Sequence, residues 1–177
     1  MACGDSTVGA KVALVIMVLC VVAGTVAIFT PYWSETQGAN GDRIYSGLVV
    51  ECNNTLGWCI DIQGILERYT NTNFYTTQIW SLSLAMIGWV FSVGALVAMI
   101  VYACLPNKIL AIVVIFLSFI AGGCIIASVI VYSVGVGAFF KNLTRPTLGW
   151  SFGLDAAAGC LAIVAAVVVI INSCIIP

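Results

Sequence analysis

Apolar residues run through this chain in four long blocks, with the polar residues gathered between them. Val12 to Phe29 is interrupted only by Gly24 and Thr25. Ile79 to Cys104 and Ile109 to Val134 carry no charged side chain, and Phe152 to Ile171 carries one, Asp155. A helix needs about 20 such residues to cross the hydrocarbon core of a bilayer. The pattern therefore predicts an all-α membrane protein, a bundle of four transmembrane helices over about 9–30, 78–104, 108–135 and 150–174. The second and third blocks are longer than a span requires, so their helices are expected to tilt or to project beyond the lipid. The first block is too long for the apolar part of a signal peptide, and "FTPYW" offers no small-residue cleavage pattern, so it reads as a true span.

The remaining segments set the connections within one domain covering 1–177. "LPNK", with Pro106 as its breaker, is a tight turn between the second and third spans. Extracellular loops are expected over 31–77 and 136–149. Four spans put both termini and the tight turn on one side and both loops on the other.

Composition narrows the function classes. Sixty-two per cent of the 177 residues are hydrophobic and 7% are charged, with a net charge of −1. That balance offers nothing to nucleic acid. There is no histidine, which removes the commonest general base and the commonest zinc ligand. No glycine-rich phosphate loop or acid pair in a pocket-like setting is present, so neither an enzyme nor a cofactor or metal site is expected. Apart from Asp155 the spans lack mid-membrane charges of the kind transporters use.

Within the first loop, "RIYSGLVVEC" and "TLGWCIDI" are rich in β-branched and aromatic residues and flank a turn at Asn53, Asn54 and Gly57. An antiparallel pair there would bring Cys52 and Cys59 to disulfide distance. Free thiols or a metal pair are the alternatives, but neither loop holds a histidine or a further cysteine. A disulfide needs an oxidising compartment. The sequons at Asn53 ("NNT") and Asn142 ("NLT") are glycosylated only on the lumenal side. Both point to external loops and cytoplasmic termini. The basic residues pull the other way, since Lys11 and Lys108 face Arg43, Arg68, Lys141 and Arg145, but long loops translocate largely regardless of charge.

Trp33 after the first span, then Gly47, Leu48, Cys52 and Cys59, resemble the "W…GLW…C…C" signature of the claudin superfamily. That group includes claudins, peripheral myelin proteins and calcium-channel γ subunits. "GAFFKN" and "LGWSFGLDAAAG" also resemble the second loop and fourth helix of these proteins. Two departures stand out: Val49 replaces the tryptophan of "GLW", and Gln78 and Trp80 stand where claudins carry an arginine. The resemblance implies a small antiparallel sheet on the bundle, anchored by Trp33. It also implies copies meeting in cis and in trans at cell–cell contacts of the plasma membrane, in a junction that seals or conducts the paracellular path. The alternative it implies is an auxiliary subunit that tunes an ion channel or receptor.

The remaining candidates follow from position. The first loop has five carboxylates against two arginines. Asp61, Glu51 and Glu67 are the candidate pore-lining residues, since carboxylate-lined walls favour cations. Cys104 and Cys174, at the terminus-side ends of their spans, are candidate palmitoylation sites. Asp155 is expected near the outer rim, its carboxylate reaching Lys141, Arg145 or water.

Overall fold

A computed structural model describes residues 8–37, 41–61, 64, 73–105, 107–139 and 147–175. Four long helices dominate it: α1 (Val8–Phe29), α2 (Asn73–Cys104), α3 (Lys108–Phe139) and α4 (Trp150–Ile175). Each contains a stretch long and apolar enough to cross a membrane. Five short strands complete the fold: β1 (Ser34–Gln37), β2 (Arg43–Ser46), β3 (Val50–Asn53), β4 (Trp58–Asp61) and β5 (Thr147–Leu148). They form one antiparallel sheet in the order β4-β3-β2-β1-β5. The architecture is thus the four-helix bundle with a small sheet that the apolar blocks and the β-rich loop predict.

Both α2 and α3 have 32 residues. At 1.5 Å per residue such a helix is about 48 Å long, against a hydrocarbon core of about 30 Å. The surplus lets α2 and α3 stand out of the lipid. The sheet meets the bundle at the end where α1 and α3 finish and α2 and α4 begin.

Lipid offers no hydrophobic drive for helices to associate, so packing depends on close approach and on hydrogen bonds. α3 packs along both α2 and α4, and α1 along α4 and α2. Small residues line these contacts: Ala85, Ala95, Ala121, Ala158, Ala162, Ala165 and Ala166 are buried. At Gly122 the backbones come so near that an added Cβ would lie 2.7 Å from Ile163 Cγ1 and 2.8 Å from the Gly159 carbonyl oxygen. Ser81 and Ser128 join α2 to α3 reciprocally. The Ser81 hydroxyl donates to the Ser128 carbonyl at 3.0 Å and the Ser128 hydroxyl to the Ser81 carbonyl at 2.8 Å. Trp89 Nε1 donates to Thr25 Oγ1 at 2.9 Å, and Asn172 Nδ2 to the Tyr102 hydroxyl at 3.1 Å. Hydrogen bonds of this kind between membrane helices contribute on average about 0.6 kcal/mol each.

The buried side chains fall into three layers. Met99, Tyr102, Val114 and Val169 close the end away from the sheet. Met17, Cys20 and a group of alanines fill the middle. Ile28, Trp33, Leu48, Ala85 and Tyr132 fill the end under the sheet. This last layer is where bundle and sheet become one body.

Gly122 and its neighbour give a direct test of the packing. A Cβ at Gly123 meets nothing within 4 Å. Gly122→Val should lower the melting temperature of the purified protein by roughly 2–10 °C, the effect of about 1–3 kcal/mol of overpacking. Gly123→Val should leave it nearly unchanged. Thermal scans of both variants in one detergent provide the check.

Candidate functional site

The site begins at the end of α1. The last carbonyls of a helix have no partner within it, and in lipid no water replaces one. Thr30 Oγ1 donates to the Val26 carbonyl at 2.7 Å, and the Trp33 indole Nε1 donates to the Ala27 carbonyl at 2.6 Å. Trp33 is fully buried. Its ring meets Tyr132 of α3 edge-on with centroids 5.0 Å apart, and Phe152 of α4 at 5.9 Å. Its backbone joins the sheet as well: its N–H donates to the Ser46 carbonyl at 3.2 Å, and its carbonyl accepts from Gly149 N–H at 2.8 Å. One residue therefore contacts α1, α3, α4 and the strand region.

Gly47 and Leu48 form the second anchor. Leu48 is buried in the same layer. A side chain at Gly47 would strike the Thr30 carbonyl oxygen and approach Pro31 Cα to 2.7 Å, so only glycine fits. Gln78, near the start of α2, fastens this corner: its Nε2 donates to the Gly47 carbonyl at 2.7 Å and the Leu48 carbonyl at 3.3 Å. The sequence shows Gln78 only as a departure from a family pattern; its role is visible in the bonds it makes. Tyr132 is also invisible in the sequence as a site residue, lying inside an apolar block. Its hydroxyl is 2.9 Å from Ser34 Oγ and donates to the Ser46 carbonyl at 3.4 Å.

Cys52 and Cys59 are directly opposed across β3 and β4 and are disulfide-bonded, with Cα atoms 4.1 Å apart. The turn between them closes on Asn53 and Gly57. Asn53 Oδ1 accepts from the N–H groups of Thr55 and Leu56, each at 3.0 Å, and Gly57 has φ +67°. Asn53, the first residue of its sequon, is therefore built into the turn by its side chain. It is the last residue of β3, its side chain is bound into the turn, and only 4% of its surface is exposed. A glycan at Asn53 would have to displace that packing. Asn142 lies outside the described residues.

Strand register sorts the charges. Directly opposed residues share a face, and successive residues alternate. Glu35, Tyr45, Cys52 and Cys59 therefore form one row across four strands, with Asp61 two residues farther along β4 on the same face. Ser34, Ser46, Glu51 and Asn53 lie on the other face, which is the more buried one. Glu51 is 1% exposed and accepts from Ser46 Oγ at 3.3 Å. Its candidacy as a pore-lining residue fails on this geometry. Asp61 is exposed, with Oδ1 accepting from Gly64 N–H at 3.1 Å. Glu67 lies outside the described residues. Glu35, passed over as a candidate, is the carboxylate that does share the face of Asp61, and alternation from Cys59 back through Cys52 and Tyr45 is the signal that finds it.

Two further expectations need correction. Asp155 does not reach the rim. Its side chain is fully buried inside the bundle, and neither carboxylate oxygen has a hydrogen-bond partner. Cys104 is disulfide-bonded, so it has no thiol to acylate. Cys174 is exposed with a free thiol and keeps its candidacy. Among the described residues no group of three or more His, Cys, Asp or Glu side chains comes together as a metal site would require. Comparison with protein-family models and with curated proteins finds no match.

The disulfide closes an eight-residue loop. Chain-entropy arguments assign such a closure about 2.5 kcal/mol. Cys59→Ser should therefore destabilise the sheet and raise its rate of proteolysis while the helices remain, read by limited proteolysis with and without reductant on the wild type. Asp155→Asn should do the opposite. Replacing an unpartnered buried acid by a group of the same shape that never ionises should raise the melting temperature of the detergent-solubilised protein by a few degrees.

Proposed function

We propose that this chain is a claudin-like structural membrane protein whose outer sheet meets other copies at cell–cell contacts and shapes a paracellular barrier or cation-favouring path. The observation that carries this reading is the exposed face of the sheet. Two carboxylates, Glu35 and Asp61, share it about 15 Å apart by strand spacing, with Arg43 on the same face and 3.6 Å from Glu35. The sheet is held to the bundle at Trp33, Gly47, Leu48 and Gln78, so those charges are presented on a fixed platform. Such a platform suits lateral and opposed contacts between copies, and it needs no catalysis.

The placement of the sheet outside the cell, with both termini in the cytoplasm, belongs to the same proposal. The bond between Cys52 and Cys59 supports it, because disulfides persist in oxidising compartments. The bond at Cys104 lies at the other end of the bundle and weighs against it. The sheet bond lies across a directly opposed antiparallel pair, and the proposal rests on it.

The exposed carboxylate at Asp61 sets the test. In an epithelial layer without its own junction strands, expression should raise the preference for cations in dilution-potential measurements, and Asp61→Asn should reduce that preference by at least half. A layer whose resistance and ion preference stay the same on expression would remove the junction reading. Stoichiometric co-purification of a channel or receptor from those cells would put the auxiliary-subunit reading in its place.

A further inference from the structure

Where the sheet meets the first turn of α4 there is a cleft of about 230 Å³, lined by Tyr32, Ser34, Glu35, Tyr45, Gly149 and Trp150. Three of its walls are aromatic. The Tyr32 ring packs on both of the others, edge-on to Tyr45 with centroids 5.1 Å apart at 64°, and stacked with Trp150 at 5.4 Å and 30°. Glu35 adds a carboxylate. We propose that this cleft binds the quaternary ammonium of a choline-lipid headgroup from the leaflet bordering the sheet.

Chemistry selects the ligand class. The faces of aromatic rings attract cations, and several rings converging on one carboxylate form the environment that methylated ammonium groups prefer. A calcium or magnesium ion would ask for about six or more oxygen ligands, and among the described residues the only carboxylate on the lining is Glu35. A primary ammonium is strongly hydrated and would lose that water against walls that are mostly aromatic. A trimethylammonium carries its charge under a skin of methyl groups and loses little. The volume also limits the occupant, since drug-sized ligands take about 300–1,000 Å³ and this cleft is smaller.

Position selects the source. Tyr32 follows the end of α1 at Phe29, and Trp150 is the first residue of α4. The cleft is therefore level with the boundary between lipid and water, where headgroups lie. Trp150 and Tyr32 are both exposed, so the aromatic lining borders that zone. Among the described residues Arg43 is the cation placed against Glu35, at 3.6 Å, with 59% of its side chain exposed. It is not on the cleft lining, and an exposed pair of this kind is heavily screened.

The test uses the full chain purified in maltoside detergent, whose headgroup carries no charge. Saturation-transfer NMR is recorded with three probes below micelle formation: dihexanoylphosphatidylcholine, dihexanoylphosphatidylethanolamine and tetramethylammonium chloride. Transfer to the choline methyls should exceed transfer to the ethanolamine headgroup. Glu35→Gln and Tyr45→Leu should each weaken choline-lipid binding about threefold. Retention of the Cys52–Cys59 bond in non-reducing mass spectrometry, together with an unchanged melting temperature, checks that each variant is folded; if one is not, the other decides. Equal transfer to both lipids, or choline-lipid binding unchanged in a folded variant, would overturn the proposal. Tetramethylammonium binding without choline-lipid binding would assign the cleft to a soluble quaternary amine and overturn the lipid source.

Discussion

The carbonyl groups at the end of α1 have to be satisfied at a depth where water is scarce, and the Trp33 indole satisfies one of them. That bond fixes where the chain leaves the membrane. It also fixes the direction of β1, because Trp33 is one residue before the strand and its own backbone is bonded to Ser46 and Gly149. The same side chain fills the layer between Ile28, Tyr132 and Phe152. A helix cap, a core contact and a sheet register thus depend on one residue. Phenylalanine could fill part of the space but has no N–H to give, and an unbonded carbonyl in an apolar setting costs several kcal/mol in lipid.

The sheet built on this joint is small and would have little stability alone. Three features compensate. Its inner face is buried, with Ser34, Glu51 and Asn53 almost fully covered. Gln78 holds the β2–β3 corner by two backbone carbonyls, and the disulfide ties the outermost strand, β4, to its neighbour. An edge strand is also where unwanted pairing with other chains begins, and charge there discourages it. Asp61 at the end of β4 can therefore serve solubility as well as any partner, and both uses need the same exposed position.

The bundle beneath follows a different logic. Its helices approach through alanine and glycine, and its polar groups are mostly used in pairs between helices, as at Ser81 with Ser128 and Trp89 with Thr25. Asp155 breaks that rule, being buried with both oxygens unpartnered. Intramembrane carboxylates are costly and usually mark a function. Here the carboxylate lies one turn deeper than Ser151, whose hydroxyl is 2.7 Å from Thr30 Oγ1 and whose N–H donates to the Tyr32 carbonyl. The cost of Asp155 is borne by an otherwise tightly packed end of α4.

The four helices were legible in the sequence because each contains a block of close to 20 or more apolar residues, about what a helix needs to cross the hydrocarbon core, a property that needs no knowledge of neighbours. The disulfide was legible because Cys52 and Cys59 flank a turn marked by asparagines and Gly57. The faces of the sheet were not. Glu51 and Asp61 look alike in sequence, each close to a cysteine, yet the register pairs Val50 with Asp61 and turns Glu51 inward. Alternation fixes faces only once the pairing is known, and the pairing depends on how Trp33, Leu48 and Gln78 seat the strands on the helices. Asp155 was misplaced for a related reason. Counting residues from the start of a helix gives its depth, but only the packing of α1 and α3 around α4 decides whether a side chain at that depth meets lipid, water or the bundle interior.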